Sequence, residues 1–165
     1  MNYGRRYSDY KDELELALIQ NSAVECDMYS IIASILRESE NGKIISLRDV
    51  SVRRTTESSE RLKGKSGFPD FVVLERVKAY NAKILGCVEI KRPTIELEMD
   101  DQIKGHIQSY GKVMYTNGLV WSFFDGDETS NWECELGTIE NDIIQWNTSK
   151  KWFELLEYID MIKWF

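Results

Sequence analysis

Two stretches decide how this chain folds: Gly67-Phe-Pro-Asp70-Phe-Val-Val-Leu74 and, beyond a polar turn, Gly86-Cys-Val-Glu89-Ile-Lys91-Arg-Pro93. The runs Phe68–Leu74 and Lys83–Ile90 are of strand length and rich in β-branched residues, and the segment around Ala79–Asn81 between them reads as a turn. If the two strands pair antiparallel about a turn centred between Ala79 and Tyr80, Asp70 falls opposite Glu89, with Cα atoms about 5 Å apart. Side chains alternate across a strand, so Glu89 and Lys91 share one face and Val88 and Ile90 point to the other. One face then carries two acids and a lysine, and the opposite face backs onto an apolar core.

Two carboxylates held that close repel each other. They become tolerable if one is protonated, if the lysine neutralises them, or if a divalent cation sits between them. Magnesium prefers hard oxygen ligands and keeps several waters, so two carboxylates and a backbone carbonyl make a suitable partial shell, and manganese is expected to substitute. Such an ion acidifies bound water and polarises a phosphoryl oxygen. Lys91 would stabilise charge developing beside it. The plainer reading, a cross-strand salt-bridge cluster on an exposed sheet face, stays open on these residues alone.

The rest of the chain suits one mixed α/β domain over residues 1–165. Apolar spacing predicts helices over about 8–20 and 22–37, a strand over 44–54 and a polar loop over 55–67. A helix over 100–112 follows, then strands over 113–116 and 119–124 about the hairpin signal Asn117-Gly118, and a terminal helix over 150–163. The expected core is about 22–124, a central sheet with helices on it. Residues 125–165 form an acidic element with four of the five tryptophans, Trp132, Trp146, Trp152 and Trp164. Ordinary core packing is their first explanation and a partner surface the second.

The net charge of -7 comes wholly from that element, which holds 3 basic and 10 acidic residues against 18 and 18 in residues 1–124. The segment Lys43–Lys65 is locally basic, and its Arg53, Arg54, Lys63 and Lys65 are candidates for contacts to phosphates. A solvated strand edge and loop is the alternative. One histidine, His106, excludes multi-histidine zinc sites. Three scattered cysteines form no paired motif. There is no apolar run of membrane-spanning length and no apolar signal core, so the expected location is cytoplasmic, away from membranes.

Pro69-Asp70 followed by Glu89-Ile90-Lys91 resembles the signature of the PD-(D/E)XK nuclease superfamily. A helix from Asp100 and the segment Val113-Met-Tyr-Thr-Asn-Gly118-Leu-Val-Trp121 extend the likeness to N-terminal nuclease domains of type I restriction enzyme R subunits. The resemblance covers about residues 22–124. It implies a restriction-endonuclease-like core with a mixed sheet flanked by helices, a magnesium-dependent phosphodiesterase, and DNA as the usual substrate. It assigns metal binding to Asp70 and Glu89 and the catalytic lysine to Lys91. It offers Glu25 as a further metal-binding acid from the first core helix, although Ser22-x-x-Glu25 also reads as a capping box. Related domains often carry Q-x-x-x-Y on the helix after the lysine strand. Here Gln102, His106 and Tyr110 share that helix face, with histidine where glutamine is expected, as candidates for support of the site or contact to DNA. The Thr116-Asn-Gly118-x-x-Trp121 segment is expected to be structural. Two alternatives remain: a catalytically silent module of the same fold that binds nucleic acid or a protein partner in a restriction, defence or mobile-element system, and an acidic DNA mimic. Self-association is compatible with any of these.

Overall fold

The computed structural model describes residues 6–52 and 57–165. Two helices open it, α1 (Tyr7–Asn21) and α2 (Glu25–Arg37). They are joined at Ser22 and Ala23, both with left-handed backbone (φ 53° and 42°), and Ala23 N–H closes α1 by donating to Ala17 O at 2.8 Å. Ser22 therefore ends the first helix and cannot begin the second. Val24 occupies the N-cap of α2 with no side-chain hydrogen bond, so the expected capping box is not formed and α2 starts at Glu25.

The main sheet has six strands in the order β1-β2-β3-β4-β5-β6: β1 (Ile45–Asp49), β2 (Phe71–Glu75), β3 (Ile84–Ile90), β4 (Lys112–Thr116), β5 (Val120–Asp125) and β6 (Ser130–Glu135). β1 is shorter than the expected strand because Asp49 Oδ1 accepts from Ser51 N at 3.0 Å and Ser51 Oγ at 2.6 Å, a local turn that ends the ladder. Arg53 and Arg54 lie outside the described residues. A four-residue helix, α3 (Glu57–Glu60), opens what reads from sequence as a plain loop.

β2 and β3 pair antiparallel through Phe71–Val88, Val72–Cys87 and Val73–Gly86, the expected register, until a bulge shifts Leu74 onto Ile84. β3 and β4 run parallel, joined by α4 (Asp101–Tyr110), whose first turn is capped by Asp100 Oδ1 accepting from Ile103 N at 2.9 Å. The other neighbouring strands are antiparallel. α4 covers one face of the sheet, where Ile103 and Ile107 pack on Cys87, Val113, Tyr115 and Phe124. The other face, with Val88, Ile90, Met114 and Trp121, buries residues of α1, α2 and the terminal helix α5 (Ser149–Met161). This is a mixed sheet flanked by helices, the restriction-endonuclease-like architecture.

The acidic end differs from expectation. It adds β6 to the edge of the main sheet and a separate hairpin, β7 (Gly137–Glu140) and β8 (Ile143–Trp146), before α5. Its tryptophans pack inward: Trp152 and Trp164 are buried in the main core, and Trp132 and Trp146 lean against it. At the Asn117-Gly118 hairpin, Asn117 Oδ1 accepts from Leu119 and Val120 N–H, and Gly118 has φ 86°. A Cβ on Gly118 would lie 2.6 Å from Met28 Cε, so the turn also sits against α2. Among the described residues no helix is long and apolar enough to cross a membrane.

Candidate active site

The β2–β3 ladder stops at Phe71–Val88. One step further the Asp70 side chain, through Oδ2, accepts from Ile90 N–H at 2.6 Å. The Asp70 carbonyl turns the other way and accepts from Val50 N at 3.0 Å. Asp70 is thus pinned to β1 by its backbone and to β3 by its carboxylate. Lys91 N–H donates to Thr116 O at 2.9 Å, which carries the parallel pairing of β3 and β4 one residue past Ile90. Glu89 and Lys91 emerge on the α4 side of the sheet, as parity requires.

There the lysine and α4 surround Glu89. Its Oε1 accepts from Lys91 Nζ and from Gln102 Nε2, both at 2.8 Å, and Lys91 Nζ also donates to Gln102 Oε1 at 3.0 Å. His106 Nε2 lies 3.3 Å from Glu89 Oε2. Asp70 and Glu89 are only 7% and 3% exposed, so two carboxylates share a poorly hydrated pocket. Burial pushes Asp70 up to about 7, the Glu89 charge pushes the same way, and the hydrogen bonds from Tyr29 and Ile90 only partly oppose this. Burial pulls Lys91 down, but its hydrogen bond to Glu89 and the surrounding negative charge outweigh that and leave it raised, hence cationic.

Tyr29 is a member of this cluster that sequence reasoning missed. Its hydroxyl donates to Asp70 Oδ1 at 2.5 Å and lies 3.5 Å from Glu25 Oε1. One turn of α2 separates Glu25 from Tyr29, and that spacing is the signal that would have found it. Glu25 reaches the site through Tyr29 and lines the same cleft.

The cleft has a volume of about 480 Å³ and is lined by Glu25, Tyr29, Asp70, Glu89, Lys91 and Gln102. Lys63 and Ser66–Pro69, from the loop before β2, supply a further wall of the same cleft. That wall is docked on α4: Tyr110 Oη donates to Leu62 O at 2.7 Å, Lys65 N donates to Ser109 Oγ at 2.8 Å, and Gly64 and Gly67 bridge to each other. The Lys65 side chain is exposed and lies outside the cleft lining. The basic segment is not one patch, because Arg48 and Arg61 line a separate hollow beside Tyr80 and Ala82. So Gln102 and His106 meet Glu89, while Tyr110 holds the loop.

Gly105 is what lets the wall sit so close. A Cβ there would stand 1.5 Å from Ser66 Oγ and 2.7 Å from Ser66 Cβ. Gly105→Ala is expected to destabilise by about 1–3 kcal/mol through overpacking and to displace Lys63 from the cleft. In a Ser66→Gly background the same change should be neutral or slightly stabilising, since alanine is the better helix former by about 1 kcal/mol. A double-mutant cycle read by urea denaturation checks this. Equal costs in both backgrounds would mean that the contact does not govern the packing.

The donor set fits a hard divalent cation: paired carboxylates in a polar cleft, one of them raised by burial and by its neighbour's charge. Among the described residues, no three His, Cys, Asp or Glu side chains converge as a ready-made cluster. The side chains at hand are therefore Asp70 and Glu89, with Glu25 one hydroxyl removed. Two carboxylates suffice for magnesium, which retains most of its waters.

No family model and no curated protein matches the chain. Among solved structures it is similar to a chain of the assembly described as "cryoEM structure DrdV-DNA complex", with a TM-score of 0.55 and 14% identity. The match covers 94% of this chain and 14% of that chain, so this chain spans a small part of its structural neighbour's length. At this identity the likeness is one of fold, and the fold is one that a DNA-bound protein carries.

Proposed function

We propose that the chain is a magnesium-dependent nuclease of the PD-(D/E)XK type that hydrolyses DNA phosphodiester bonds. The observation that carries this reading is the juxtaposition of Asp70, Glu89 and Lys91 at one end of a polar cleft. The DNA-bound structural neighbour supports DNA as the substrate. Asp70 and Glu89 would hold the ion, with Glu25 assisting through Tyr29. Magnesium bound there supplies an acidified water and neutralises phosphate charge. The chain's own residues do the rest. Lys91, held cationic by Glu89, orients the attacking water and donates to a phosphoryl oxygen as charge develops on it. Gln102 holds both Lys91 and Glu89, which fixes the ammonium relative to the carboxylates. Lys63, on the lining of the same cleft, offers a second positive charge to the DNA backbone.

The test is cleavage of DNA by purified protein with magnesium, alongside Asp70→Ala and Lys91→Ala. Both variants are expected to lose about 10²-fold or more in rate. Unchanged cleavage in both would remove this cleft from the chemistry. DNA binding without magnesium binding would instead mark a silent module on the same fold.

A further inference from the structure

We infer that His106 is a positioning residue for Glu89, holding the inner carboxylate oxygen so that the outer one stays presented to the cleft. This rests on the proposed magnesium site and adds to it a residue buried behind that site. The two oxygens of Glu89 have different surroundings. Oε1 meets Lys91 and Gln102, both of which line the cleft. Oε2 is shut off from solvent and has no hydrogen-bond partner, and the same holds for both ring nitrogens of His106. The two groups face each other, with Nε2 at 3.3 Å from Oε2, inside a pocket where His106 is 0% exposed.

An unsatisfied polar atom at such a depth costs about 1–3 kcal/mol, and this pair holds several. A small rotation of the imidazole points an Nε2–H at Oε2 and satisfies these two of the three atoms, leaving Nδ1 as the unprotonated nitrogen. The ring is kept within reach of that alignment by Tyr110, whose ring centroid lies 5.8 Å away and whose hydroxyl is tied to Leu62 O. Without the histidine, Oε2 has no hydrogen-bonding group among the described residues to hold it, and the carboxylate, tied only through Oε1, gains freedom about its last torsion. The outer oxygen would then sample orientations unsuited to a cation.

His106 is the one histidine in the chain, so an imidazole ¹⁵N spectrum has a single source. Metal-free protein is expected to show the proton on Nε2. A proton on Nδ1 alone would overturn the inference without touching the magnesium site. The second measurement is magnesium binding by calorimetry, with magnesium chloride as the titrant. His106→Gln places an amide N–H near the position of Nε2 and should bind within about twofold of the parent, whereas His106→Leu should bind about tenfold more weakly. If the leucine variant does not fold, His106→Asn, whose amide ends short of Oε2, takes its place under the same criterion. Equal affinity in the glutamine and apolar or shortened variants overturns the inference while leaving the site intact. A parent chain that binds no magnesium overturns the functional reading itself.

Discussion

Asp70→Asn is expected to lose about 10³-fold or more in DNA cleavage and, in the absence of divalent cations at pH 8, to melt roughly 5–10 °C above the parent. The two effects have one cause. Asparagine keeps the shape of the side chain. Its Oδ1 can still accept from Ile90 N–H, and its amide can donate to the Tyr29 hydroxyl in place of the bond that hydroxyl now makes. What it removes is a negative charge buried beside Glu89. That charge is a liability to the empty fold and the means of holding a cation. Differential scanning calorimetry in metal-free buffer and a gel assay of cleavage check the two halves. A variant that cleaves at the parental rate shows that Asp70 is not a ligand. A variant that melts lower at pH 8 shows that its hydrogen bonds outweigh the repulsion.

The pH profile of that stability difference is the second large effect. The Asp70 carboxyl has an ordinary value of 3.8 and is raised to about 7 in the fold. Between those values the native state binds a proton that the unfolded chain has released. Stability from this group is therefore complete below about pH 4 and is lost progressively as the pH rises to about 7. The buried position justifies a conversion to on the order of 4 kcal/mol, as an upper bound. Other carboxylates act in the opposite sense at low pH, so the quantity to measure is the free-energy gap between Asp70→Asn and the parent. It should be small near pH 4, grow in favour of the variant up to pH 7, and stay flat above. Magnesium should narrow it at pH 8 by stabilising the parent alone. A gap independent of pH would mean that Asp70 titrates normally and is not crowded by Glu89.

The register of β2 on β3 was legible because a turn centred between Ala79 and Tyr80 places Asp70 opposite Glu89, and the observed pairs Phe71–Val88 to Val73–Gly86 keep that register. With the register came the site, since Asp70 and Glu89 are set by position rather than by distant packing. The parallel pairing of β3 with β4 follows from the helix between them. The strands between Ser130 and Trp146 were hidden by composition. Cys134 turns inward while Glu133 and Glu135 turn out, so the packing of this acidic, Trp-rich element was expected, but its short strands, interrupted by acids, carry no clean alternation. Tyr29 was hidden for another reason. A tyrosine on an apolar helix reads as core, and only the fold brings α2 against Asp70. Likewise Ser22-x-x-Glu25 matches a capping box in letters, yet the left-handed backbone at Ser22 and Ala23 assigns Ser22 to the preceding helix.

Crystals of the protein soaked in manganese, measured at the manganese absorption edge, address the site most directly. A cation held by the paired acids requires an anomalous peak between the Asp70 and Glu89 carboxylates, at about 2.2 Å from an oxygen of each, with Lys91 displaced from Glu89 Oε1 or sharing it. A peak elsewhere, or none while Asp70 still holds Tyr29 and Glu89 still holds Lys91, would contradict a metal-dependent nuclease at this cleft.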